Sequence, residues 1–167
     1  MSELTVGTIS GLAANNYVVD VAAGSQITQP GMVLQVVESK TSTTTATSST
    51  TYVDTSLSGT ITPTSSSSKI LIVCGAATLL TSGSANYAQL TIFRGDSATG
   101  TDLGLATMAE SYESAASTVT SNATMTIVDS PATSSAVTYT LAVRSRYNTS
   151  SAQVKNHQNM ILMEIAQ

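Results

Sequence analysis

The stretch Val137-Thr-Tyr-Thr-Leu-Ala-Val-Arg-Ser-Arg-Tyr147 alternates with a period of two. Val137, Tyr139, Leu141 and Val143 take one side and Thr138, Thr140, Arg144 and Arg146 the other, which is the pattern of a β-strand with one buried and one wet face. A slip of one residue would bury both arginines, so the register is strongly specified. Working outward, Ala123-Thr-Met-Thr-Ile-Val-Asp129 places Ala123, Met125 and Ile127 inward, and Met32-Val-Leu-Gln-Val-Val-Glu38 places Met32, Leu34 and Val36 inward. Ile70 to Leu80 and Tyr87 to Arg94 are further apolar, β-branched runs of the kind that form strands. No segment of ten or more residues carries a helical stripe.

Turn chemistry separates these runs at short intervals. Gln29-Pro30-Gly31, Gly59, Pro63 with Ser65 to Ser68, Gly83-Ser84, Gly95-Asp96, Gly100 and Asp129-Ser-Pro131 supply the positive φ or preset bend that a reversal needs. About eight strands result, and this spacing predicts an all-β chain, an antiparallel β-sandwich of jelly-roll type. Residues 31–167 make the sandwich. Residues 1–30 differ from it, reading as an extended N-terminal arm with short extended pieces at Leu4 to Ile9 and Tyr17 to Val21. The run Thr41 to Thr51, almost wholly Ser and Thr, reads as an edge strand or long loop, since Thr suits a solvated strand face.

Composition narrows the function. Of 167 residues, 26 are Ser and 28 are Thr, while only 10% are charged and 4% aromatic; the charged share is less than half the roughly 25% usual for soluble proteins. Lys40, Lys69, Arg94, Arg144, Arg146 and Lys155 form no block and the net charge is −4, which argues against a nucleic-acid surface. The start Met-Ser-Glu-Leu-Thr-Val has neither a basic nor an apolar leader segment, and no apolar run approaches the roughly 18 residues of a membrane span. The expectation is a protein made and folded in a cytoplasm, with no membrane insertion. Cys74, the only cysteine, sits in the apolar run Lys69-Ile-Leu-Ile-Val-Cys-Gly75 and is expected as a small core residue.

The inventory for catalysis is short. His157 is the only histidine and no Gly-x-Ser-x-Gly elbow is present, so a nucleophilic triad lacks its usual parts. His157 is expected at the entrance to the last strand in a polar or interface role; three copies meeting on a threefold axis are the metal-binding alternative. Asp96 and Asp102 flank a glycine-containing hairpin, read as a plain turn, with calcium binding as the alternative. Glu110 and Glu113 around Tyr112 form a small acidic patch whose spacing sequence alone does not fix. No catalytic residue, metal ligand or cofactor is expected, and the few tyrosines are expected partly at interfaces, with Tyr139 and Phe93 inside.

The order Gln29-Pro-Gly-Met-Val-Leu-Gln-Val-Val37, Thr51-Tyr-Val-Asp-Thr-Ser-Leu57, Ile61-Thr-Pro-Thr-Ser-Ser-Ser-Ser-Lys-Ile-Leu-Ile72 and Met160-Ile-Leu-Met-Glu-Ile165 resembles fibre and decoration proteins of tailed bacteriophages, marine and cyanobacterial ones especially. The resemblance implies a virion surface protein: a homotrimer with a jelly-roll knob, located on the outer surface of the particle. Its implied partners are further copies of itself, the major capsid protein or another virion protein, and a host surface glycan. A capsid-decorating or cement protein is the leading expectation. A tail- or head-fibre tip that binds a receptor comes next, then a carbohydrate-binding module or glycan-cleaving enzyme. Attachment is expected through apolar residues of the arm, Leu4, Val6, Ile9, Leu12, Tyr17, Val19, Val21 and Ile27, too many for a solvated tail and too few for a core.

Overall fold

The computed structural model describes residues 29–80, 86–114, 118–147 and 151–167. Its strands are β1 (Val33–Thr41), β2 (Thr45–Thr47), β3 (Val53–Ile61), β4 (Lys69–Leu80), β5 (Asn86–Arg94), β6 (Thr101–Asp102), β7 (Ala109–Glu113), β8 (Val119–Asp129), β9 (Val137–Ser145) and β10 (Ala152–Ile165). Apart from the two- and three-residue pieces β6 and β2 there are eight strands among the described residues, in agreement with the expected number of about eight; β3 and β7 are not located from the sequence. They form two antiparallel sheets, one ordered β1-β10-β4-β8 with β2 beside β10, the other β3-β9-β5-β6 with β7 beside β5. Successive long strands pass between the sheets, except β5 and β7, which pair with each other in the second sheet, the strand order of a jelly roll. The fold class is all-β, an antiparallel jelly-roll sandwich.

The core lies between the sheets. Ile70, Ile72 and Cys74 from β4, Met160 and Leu162 from β10 and Met125 from β8 face Leu90 and Ile92 from β5 and Val137, Tyr139, Leu141 and Val143 from β9. The alternation of β9 is thus as expected, and Ala123 and Ile127 pack on the core beside Met125. Cys74 is fully buried. Burial pushes its thiol up to about 12, so it behaves as a hydrophobe.

The expected inward set of β1 is corrected. A bulge between Val33 and Gln35 adds one residue and shifts the alternation. Val37 now packs on the core and Gln35 turns in to Glu164, while Val36 is 57% and Met32 44% exposed. The turn before this strand is as expected: Met32 N–H donates to Gln29 C=O at 3.0 Å, with Pro30 and Gly31 between and Gly31 at φ +85°. Proline second and positive-φ glycine third make a type II turn. The Thr41–Thr51 run leaves β1, forms β2 against β10 and bonds to its own backbone through Thr41, Thr47 and Ser49 hydroxyls.

Candidate interaction surfaces

In an isolated antiparallel sandwich the outer sheet faces are wet and polar. The β1-β10-β4-β8 sheet departs from this. Val36 pairs with Met163, Met163 with Leu71 and Leu71 with Val128, so four strands contribute one unbroken aliphatic row. Ile161 and Val73 pair in the next row and Val33 with Ile165 on the other side. Their row neighbours alternate into the core at Leu162, Ile72 and Cys74, so all eight aliphatics lie on the outer face. Val36 and Val128 at the ends are 57% and 55% exposed; Met163, Leu71, Ile161 and Val73 are half-buried by one another. Glu38, paired with Lys40 at 2.8 Å, borders the block, as does Lys69. The local sequence reason is that Ile70 to Cys74 in β4 and Met160 to Met163 in β10 are apolar at every position, the composition of strands covered on both faces.

The outer face of the other sheet holds the aromatics. Along β5, Ala88, Leu90 and Ile92 go to the core, leaving Tyr87, Gln89, Thr91 and Phe93 outward. Phe93 is 7% exposed, as expected of a buried ring, but it is covered from outside the sheet: Tyr52 meets it edge-on at 5.7 Å. Arg144 lies 4.6 Å over the Tyr52 ring. In one row Glu110 pairs with Gln89 and Gln89 with Arg144; Arg144 Nε donates to Gln89 Oε1 at 2.7 Å and the Gln89 amide donates to Glu110. The next row is Tyr112 opposite Tyr87, followed by Arg146, whose N–H bonds to Tyr87 C=O at 3.0 Å. Tyr87 and Tyr112 stack with centroids 4.4 Å apart, Tyr147 meets Tyr87 at 5.9 Å, and the Arg146 guanidinium lies 4.9 Å over Tyr87 and 5.7 Å from Tyr147.

The remaining candidates are placed as follows. The arm residues Leu4, Val6, Ile9, Leu12, Tyr17, Val19, Val21 and Ile27 lie outside the described residues. His157 is exposed, but it stands within β10 rather than at its entrance, at φ +31° in a bulge between Lys155 and Asn159. The bulge fits because Gly75 opposite has no side chain: a Cβ there would lie 2.5 Å from Asn159 Oδ1. Asp96 accepts from Ala98 and Thr99 N–H groups and Asp102 from Gly104 and Ala106 N–H groups, so each carboxylate closes its own turn. Glu110 is engaged by Gln89, whereas Glu113 points to the other side of β7 and is buried. Among the described residues no three of His, Cys, Asp and Glu gather as metal ligands would.

No protein-family model matches the chain, and no curated protein matches it. Among solved structures, it is similar to VP2 in the crystal structure of an infectious bursal disease virus subviral particle, at 9% identity and a TM-score of 0.42 over 89% of the chain. A mutant VP2 of infectious bursal disease virus in derived T=1 particles is similar at 10% identity and a TM-score of 0.41, again over 89%. The chain spans about two-fifths of the length of each, 42% and 40%.

Proposed function

We propose that this chain is a bacteriophage virion structural protein, a homotrimeric capsid-decorating or cement protein on the outer head surface, and that it performs no chemical step. The observation that carries the reading is the in-register aliphatic block Val36, Met163, Leu71 and Val128 with Ile161 and Val73. A contiguous apolar face of this kind on a charge-poor, hydroxyl-rich protein marks a surface that is covered in the working assembly. Serine and threonine lose little rotamer entropy on being immobilised, and uncharged contact surfaces avoid the cost of desolvating ions. The sequence resemblance to phage surface proteins supplies the setting, and the arm residues Leu4 to Ile27 supply a second attachment element. The partners are other copies of the chain and the major capsid protein or another virion protein.

The test replaces Val36 and Val128, both more than half exposed, by lysine. Surface substitutions at such positions leave stability within about 0.5 kcal/mol, so the variant folds. It should fail to co-sediment with particles lacking the native protein, whereas the wild type should bind them. Equal binding would sink the docking role of this face. Light scattering on the free wild type should give about three times the 17.1 kDa chain mass, and a monomer at micromolar concentration would count against the trimer. The second reading, a fibre tip that binds a receptor, is favoured by the tyrosine and arginine cluster on the opposite sheet.

A further inference from the structure

Two adjacent rows on the outer face of the β3-β9-β5 sheet differ in one respect. The row Glu110, Gln89, Arg144 is electrically complete, because Gln89 bridges the guanidinium to a carboxylate. In the row Tyr112, Tyr87, Arg146 the position corresponding to that carboxylate is a tyrosine. Arg146 is exposed, and the interactions it shows are with rings, Tyr87 and Tyr147; among the described residues its guanidinium has no carboxylate partner. A cation in a chain of net charge −4 is thus left facing solvent beside two aromatic rings.

We propose that Arg146, Tyr112 and Tyr147 form a binding site for a saccharide that bears a carboxylate. Tyr112 and Tyr147 are 46% and 45% exposed, offering ring faces of the size of a pyranose, whose apolar C–H face stacks on aromatic rings. Their hydroxyls add donors and acceptors at the rim. The guanidinium supplies two parallel N–H donors to the sugar carboxylate, a pairing that is both stronger and more directional than a neutral hydrogen bond. Tyr112 is pre-ordered by its 4.4 Å stack on Tyr87 and Tyr147 by an edge contact with the same ring at 5.9 Å, which lowers the entropy cost of binding. This surface lies on the opposite side of the sandwich from the aliphatic block, so a molecule docked by that block presents these rings outward. The site itself does not rest on the docking reading.

The experiment titrates the free full-length protein with tri-galacturonate, with N-acetylneuraminic acid and with uncharged cellotriose, following tyrosine fluorescence and heat. At least one acidic probe should saturate the protein, bind at least ten-fold more tightly than cellotriose, and weaken as salt rises. Arg146→Gln and Tyr147→Ala should each lower that affinity ten-fold or more, with thermal midpoints close to wild type, and Arg146→Gln should co-sediment with particles as before. Absence of saturation by both acidic probes at millimolar concentration, equal affinity for cellotriose, or unchanged affinity in Arg146→Gln would overturn the proposal.

Discussion

Tyr139 Oη donates to Asp129 Oδ2 at 2.8 Å, and this single bond crosses the sandwich from β9 in one sheet to the last residue of β8 in the other. Asp129 also accepts from Arg94 Nη1 at 3.1 and 3.2 Å, the end of β5. Tyr139 is fully buried and Asp129 8% exposed. Burial, then the bond to Asp129, pushes the phenol far above its ordinary range, so it is a permanent donor. Tyr139→Phe keeps the ring and removes the donor, leaving a buried carboxylate short of one partner. The expected cost is about 1–3 kcal/mol, read as a lower midpoint in urea with an unchanged slope.

Acid sensitivity is expected from Glu164. It is fully buried and accepts from Gln35 Nε2 at 2.6 Å and from Thr64 N–H and Oγ1 at 2.7 Å. Burial alone would raise its carboxyl, but these donors outweigh it and hold the group below the usual glutamate range. A folded value below the unfolded one means that the stabilisation is complete above the unfolded value of about 4.3 and is lost as pH falls through the lowered folded value. Glu164→Gln should therefore destabilise at pH 7, by about 1–3 kcal/mol, and the gap to wild type should narrow at pH 3. Thermal melts at both values check this, and a gap that does not change with pH refutes it.

Cys74 offers an internal reporter. It lies in the middle of β4, between Met160 and Met125 in the neighbouring strands, and its thiol is pushed up to about 12 by burial. At pH 8 the thiolate fraction is then about one in ten thousand, against roughly a quarter for an ordinary thiol of pKa 8.5. Labelling by iodoacetamide should be slow in buffer and rapid once urea unfolds the chain. Fast labelling of the folded protein would show that β4 is not closed between the sheets.

These features differ in how far the chain spells them out. The alternation of Val137, Tyr139, Leu141 and Val143 is local, and it carried the sandwich. The bulge at Val33 and Gln35 was not legible, because Met32, Leu34, Val36 and the opposite set Val33, Val37 are equally apolar, so the pattern fits either face. The aliphatic block had a signal: Lys69-Ile-Leu-Ile-Val-Cys and Met160-Ile-Leu-Met-Glu-Ile are apolar on both alternations, which identifies strands covered twice. The tyrosine and arginine rows had none, since Tyr112, Tyr87 and Arg146 meet only through strand pairings far apart in sequence. That register follows from global packing.

The arm is the last element to test. Gln29 to Met32 is a type II turn tied to the end of β10, with Gly31 N–H bonded to Ala166 C=O and Ala166 N–H to Met32 C=O. Among the described residues the buried core of the sandwich is drawn from β3 to β10. The segment before the turn carries Leu4, Val6, Ile9, Leu12, Tyr17, Val19, Val21 and Ile27, apolar groups that, in the proposed attachment role, would be covered by adding the segment to another surface, with backbone bonds fixing it and alternate side chains selecting the site. Deleting residues 2–28 should leave a β-rich knob whose Cys74 stays protected from alkylation and whose melting point changes little, and that knob should no longer bind particles. Decoration equal to that of the full chain would move attachment entirely to the Val36 and Val128 face. Loss of Cys74 protection would show instead that the segment is part of the fold.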